Sequence, residues 1–406
     1  MIKRLRVRNF MSLKDVTIDL SPLTIFIGPN ASGKSAIFKA LVTVSKLLGT
    51  SPVSGPFGEF NLEPAVTLDH LVWQGNSGLP IIFQLWWPDD SEDEPGYTLK
   101  IEKQARGWSV TQEKLKLAGK WFDSAEDTFE HDTEKIGKRT WKAPYRATLC
   151  HLVAPFIHDK SAAPAITPLL EFKQSFGEAW RYRISANDIA SFVKIKEPRG
   201  SEQVYMRENG RGLSLELQRL QGLNRPLFSL IEQELNLIFP HIRFINFQSE
   251  RFGVGLAFTT DRSEDLVPGS EESDGVLLTT FLLWRLFTAP KNLKVCLEEP
   301  ENGLHPYLLS KRIALLKKFA YEKIPLQLLV ATHSPDFLSA LEDRRDMLEM
   351  IRVVEFSHSE GTKVYKLGDM EQIDKLLSVF NDDIGELWWS GAIGAVPTGQ
   401  QKGYKN

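Results

Sequence analysis

Cysteine is nearly absent: Cys150 and Cys296 are the two in 406 residues. They stand far apart without metal-ligand spacing, which argues against a disulfide framework or a zinc site and fits a reducing cytoplasm. Charge of one sign is lacking too. A formal net charge of −3 gives no global attraction to nucleic acid or to an anionic membrane. No apolar run spans a bilayer, because "VLLTTFLLWRLF", Val276 to Phe287, is broken by Arg285 and falls short of the roughly 20 residues required. That run predicts a buried helix. The opening "MIKRLRVRNFMSL" interleaves basic and apolar residues without the apolar stretch of a secretory leader, so a strand is expected there. Sustained heptads, internal repeats and low-complexity tracts are also missing. What remains is an ordinary globular composition, 42% apolar, with length for two or three domains.

Against this background one stretch stands out. "LTIFIGPNASGKSAIFKA" reads as an apolar strand, a Gly/Pro/Asn turn and an apolar-periodic helix beginning at Lys34. Its loop, Gly28, Pro29, Asn30, Ala31, Ser32, Gly33, Lys34 and Ser35, fits G-x-x-x-x-G-K-[ST] in a strand–loop–helix setting. The chemistry is phosphate capture. The first N–H groups of the helix have no intrahelical partner and point with the positive end of the dipole into the loop. Lys34 is placed to reach the β and γ phosphates, and the Ser35 hydroxyl to complete a magnesium shell.

A second stretch, "VCLEEPENGLHP", ends an apolar strand in Glu298 and Glu299. Adjacent acids alone mean a solvated turn, but beside a P-loop they acquire separate tasks. Glu298 is expected to hold magnesium through water, and Glu299, facing the other way along an extended backbone, to orient or deprotonate the attacking water. A third apolar strand, "LQLLVATHSP", ends at His333, whose imidazole is expected at the γ-phosphate.

Residues 1 to about 48 read as two strands, the P-loop strand and a helix that stops at "LGTSPVSGPFGEF". The alternation in "LPIIFQLWWPDDSEDEPGYTLKIEKQARGWSV" predicts antiparallel hairpins. From about Lys114 to Asn246 the pattern loosens and includes the helical "GLSLELQRLQGLNRPLFSLIEQELNLIFP". The expected fold class is α/β: a P-loop NTPase head with a mixed sheet, an antiparallel β subdomain and an inserted mainly helical subdomain. The expected divisions are 1–113, 114–246, 247–345 and 346–406. Within the insertion Lys135, Lys138, Arg139, Lys142 and Arg146 surround Trp141 and Tyr145, a mixture suited to tracking a phosphate backbone and stacking on bases. The flanking acids of "DSAEDTFEHDTE" keep a solvated loop as the alternative.

Taken together, these residues resemble the ABC-type ATPases of the RecF, structural-maintenance-of-chromosomes and OLD group, and more closely its short branch found in bacterial anti-phage systems. "RNFMSLKDVTIDLSPLTIFIGPNASGKS" resembles the group's opening, and "LEEPENGLHP" with "ATHSPDFL" its close. About the first 50 residues and residues 265 to 345 are covered well, the middle poorly. The resemblance implies an ABC-ATPase head using ATP and Mg2+. It implies that Ser273 and Gly275 form the signature by which one subunit caps the γ-phosphate on the P-loop of the other; the residues alone give a helix N-cap. By the same likeness Gln74 senses the metal and the attacking water, and His305 lies on the segment that passes information between the two sites. Glu298 departs from the aspartate of many relatives.

The implied assembly is a cytoplasmic homodimer, open to higher order, with a separately encoded effector, a nuclease or toxin. The stretch after His333 is too short for the Toprim nuclease domain of OLD proteins. A DNA-binding clamp in repair or recombination is the alternative, and a nucleotide or small-molecule kinase would leave Ser273 and Gly275 without a role. Asp382 and Asp383 are expected in a solvated turn, and "LWWSG" either docks a partner or packs in the core.

Overall fold

Alternation in the first twenty residues folds into an antiparallel hairpin, Arg4–Phe10 (β1) and Leu13–Asp19 (β2), with Leu5, Val7, Val16 and Ile18 turned inward. The next strand leaves that sheet. All five residues of Leu23–Ile27 (β3) are buried, as in a strand covered on both faces. The structure is a computed structural model, and it describes residues 1–49, 68–104, 107–117, 120–125, 128–130, 139–140, 172, 176, 179–193, 207, 209–250, 253–323, 326–341 and 343–393.

The hairpin opens an eight-stranded sheet that continues through Ile81–Trp86 (β4), Tyr97–Gln104 (β5), Gly107–Leu117 (β6), Lys120–Ala125 (β7), Thr128–Glu130 (β8) and Arg139–Thr140 (β9) in the order β2-β1-β4-β5-β6-β7-β8-β9. This corrects the expected boundary at Lys114, which falls inside β6. The alternation runs on past it: Leu115 is buried opposite Tyr97, so the hairpin has no reason to stop. The basic and aromatic cluster of residues 135–146 lies outside the described residues apart from the backbone of Arg139 and Thr140.

β3 belongs to a six-stranded sheet with Ala179–Tyr182 (β10), Lys294–Glu298 (β14), Gln327–Thr332 (β15), Ile351–Ser357 (β16) and Gly361–Lys366 (β17), ordered β10-β14-β15-β3-β16-β17. All its pairings are parallel except β16 with β17, which makes it the mixed sheet expected. A third, smaller sheet joins Ile242–Glu250 (β11), Gly253–Thr260 (β12) and Val267–Pro268 (β13).

Strand periodicity then builds the layers. Phe26 faces the helix Lys34–Gly49 (α1), meeting Phe38 edge-on, and α1 is packed between the two large sheets. Leu23, Ile25 and Ile27 face the opposite core. There they meet helices at Ala186–Ala190 (α2), Leu213–Leu223 (α3), Arg225–Ile238 (α4), Asp274–Phe287 (α5) and Leu309–Lys318 (α6). As its composition predicts, α5 is buried, and Arg285 is accommodated over the rings of Trp180 and Tyr182.

The C-terminal helices are Pro335–Ser339 (α7), Arg344–Met350 (α8), Ile373–Val379 (α9) and Ile384–Trp389 (α10). Asp382 and Asp383 do more than line a solvated turn. Asp383 caps α10 and accepts from Ser339 Oγ at 2.7 Å, and Asp382 pairs with Arg344 at 2.9 Å. The two tryptophans separate: Trp388 is core, while Trp389 is 80% exposed.

Candidate functional site

The loop after β3 wraps the start of α1. Gly33 has φ +113°, a backbone that side chains disfavour, and a Cβ there would strike Thr362 and the Ser12 hydroxyl. Thr362 Oγ1 lies 2.9 Å from the Ser32 carbonyl and 2.8 Å from Ser12 Oγ, so β17 and the β1–β2 turn form a floor under the loop. Neither partner carries a sequence signal. Lys34 Nζ donates to the carbonyls of Gly28, at 2.6 Å, and Pro29, at 2.9 Å. Burial lowers the lysine to about 8 from 10.5, with Glu299 and then Glu298 opposing the shift.

A cleft of about 270 Å³ opens over this loop, lined by Asn30, Ala31, Ser32, Gly33, Lys34 and Ser35 on one side and Glu298, Glu299 and His333 on the other. Consecutive residues of an extended strand point to opposite faces, so two adjacent acids reach one cleft only if the backbone changes. It does. Glu299 is left-handed, at φ 50°, in place of the extended conformation expected. Its N–H donates to the Ala331 carbonyl at 2.8 Å, holding a conformation that is uncommon before proline.

Glu299 accepts from Asn302 Nδ2 at 2.9 Å and lies 3.6 Å from His333 Nδ1. Glu298 is held differently. Its Oε1 accepts from Arg181 Nε at 2.7 Å, a partner on the neighbouring strand β10 that no motif announces. Behind the acids, burial raises the Glu301 carboxyl to about 7 despite the Thr332 hydroxyl at 2.5 Å.

Three expected residues lie elsewhere. Gln74 does not line the cleft; its amide is donated to the His358 carbonyl at 3.0 Å. Ser273 caps α5, accepting from Val276 N at 3.4 Å, and Gly275 follows in its first turn. A Cβ on Gly275 would lie 2.6 Å from the Gly303 carbonyl, so the start of α5 is seated on the segment after the two acids. His305, on that segment, caps the turn Pro306–Leu308.

Among the described residues no group of three or more His, Cys, Asp or Glu could hold a metal ion. One hydroxyl and one carboxylate beside a phosphate-binding loop nevertheless fit Mg2+, which takes few protein ligands and keeps its waters and the substrate's phosphate oxygens. Cys296 is a free, buried thiol, and no described helix is long and apolar enough to cross a membrane.

A mostly parallel mixed sheet, a phosphate loop between strand and helix, and carboxylates closing the same cleft define an α/β P-loop ATPase domain. The chain belongs to the family described as "AAA domain, putative AbiEii toxin, Type IV TA system", which matches residues 90–339. Residues 1–77 match an AAA ATPase domain. A 41-residue stretch is 49% identical to an OLD nuclease of Thermus scotoductus, spanning 10% of this chain but only 8% of that protein.

Among solved structures, an SMC head bound to the C-winged helix domain of ScpA covers 92% of this chain and 99% of its own, with a TM-score of 0.50 at 16% identity. That likeness concerns the fold. The SMC head domain from Thermotoga maritima superposes less closely, with a TM-score of 0.44 at 14% identity over 90% of this chain and 98% of its own.

Proposed function

We propose that the chain is a magnesium-dependent ATPase subunit that dimerises around ATP and switches a separately encoded effector. The observation that carries this reading is the convergence of Lys34, Ser35, Glu298, Glu299 and His333 on one cleft. The N–H groups at the start of α1 and the Lys34 ammonium bind the phosphates. Ser35 and Glu298 would hold Mg2+, which neutralises charge developing on the transferred phosphoryl group.

Glu299 takes the proton of the attacking water, and His333, 3.6 Å away, steadies its carboxylate and faces the same space. Ser273 and Gly275 lie off this cleft, which supports their acting on ATP held by a second copy. The family description names a toxin–antitoxin system, which supports a role alongside a second component. The free Cys296 thiol fits a cytoplasmic setting.

Glu299→Gln tests the reading. It should bind ATP with magnesium as wild type does, hydrolyse it roughly 10²–10⁴-fold more slowly, and elute as a dimer from a sizing column run with both. Normal phosphate release, or a monomer under saturating ATP, would sink it.

A further inference from the structure

Arg312 is the most deeply enclosed cation of the described helices, fully buried on α6, and no motif accounts for it. A guanidinium stays charged at any physiological pH, so burial must be offset by hydrogen bonds. Arg312 Nη1 donates to the Pro300 carbonyl, immediately after Glu299, and Nη2 donates to Thr279 Oγ1. Thr279 Oγ1 in turn donates a hydrogen bond to the Gly275 carbonyl at 2.6 Å, in the first turn of α5.

The network extends on the other side. Glu301, the residue after Pro300, accepts from Thr332 Oγ1, which also accepts from Ser334 N at 3.0 Å; these two residues flank His333. The start of α5, the turn that aims Glu299 and the strand end that carries His333 are therefore joined through polar contacts, buried on the Arg312 side and part-buried at Thr332. Such contacts resist independent displacement, because breaking any one strands a buried donor or acceptor.

We propose that Arg312 is a positioning residue that clamps the start of α5 to the Glu299 turn. The surface offered to a second copy's ATP and the acid serving this copy's ATP then shift together. This inference rests on the function proposed above and extends it from the residues at each site to the element that couples them.

Arg312 itself is too enclosed for a clean deletion, so the test removes its partner. Thr279→Val keeps the shape of the side chain, cuts the link to α5 and leaves the Pro300 contact in place. ATP affinity of the monomer should be unchanged, while kcat falls about tenfold or more at constant KM. Thr279→Ser should restore it. In the Glu299→Gln background, Thr279→Val should also raise the ATP concentration that half-populates the dimer by about tenfold.

Wild-type kcat in Thr279→Val, or a loss of kcat matched by a loss of ATP affinity, overturns the clamp. So does a double variant that dimerises at the same ATP concentration as Glu299→Gln. If Glu299→Gln alone forms no dimer, the dimer reading fails separately. The clamp is then decided by turnover: a kcat loss rescued by serine upholds it, and an unrescued or absent loss overturns it.

Discussion

Arg181 Nε stands 2.7 Å from Glu298 Oε1, with the two side chains only 14% and 11% exposed. The acid assigned to the metal therefore already has a resident counter-charge. Removing one partner of a buried pair costs about 3–5 kcal/mol, and the residual exposure here places this pair near the lower end. Arg181→Met should lower the melting temperature and, with a competing cation gone, reduce the magnesium concentration needed for ATP binding. Glu298→Gln should raise that concentration. A double-mutant cycle by thermal denaturation checks the pairing: additive losses would mean the contact carries no coupling.

The depressed lysine makes a pH prediction. Between about 8 and 10.5 an unfolded chain holds more protons at Lys34 than the folded one, so this group favours folding increasingly as pH rises through that window. ATP acts the other way. The triphosphate favours the ammonium, so affinity should be complete below about 8 and decline as pH rises through it, with proton uptake on binding. Calorimetry at pH values on either side, in two buffers of different ionisation enthalpy, measures both. Binding without proton uptake above that value would contradict the placement of Lys34.

Ser273 has a local task as an N-cap and a proposed task toward a second copy, and two substitutions separate them. Ser273→Ala loses the cap alone, worth about 0.5–2 kcal/mol, and should shift melting more than turnover. Ser273→Arg adds a bulky cation at the helix start and should abolish ATP-driven dimerisation while the monomer still binds ATP. Equal hydrolysis by the arginine variant and wild type would leave Ser273 as a cap only.

The phosphate loop was legible because its information is local: eight consecutive residues between a strand and a helix specify both shape and chemistry. The two acids were legible as a pair, yet their shared orientation was not, since it depends on a left-handed Glu299 held by Ala331 of another strand. Arg181 lies 117 positions from Glu298 and becomes its neighbour only through parallel pairing of β10 with β14. Arg312 did leave a trace. It occupies the same helical stripe as the buried Leu309, Ile313 and Leu316, and a charge on an apolar face asks for a partner. The boundary at Lys114 failed because looser patterning was read as helix, whereas the strand alternation persisted through Leu115.

The position of β3 bears on how the chain is made. Its neighbours in the sheet are β15 and β16, so the strand that delivers the phosphate loop pairs with segments some 300 residues downstream. The Ile2 N–H reaches Gln327 Oε1 in the same way, across 325 positions. During synthesis the first domain layer can form its hairpin early, but the ATP cleft has to wait for the last quarter of the protein to leave the ribosome. A chain released prematurely would carry an intact phosphate-loop sequence without the strands that flank β3 in the sheet.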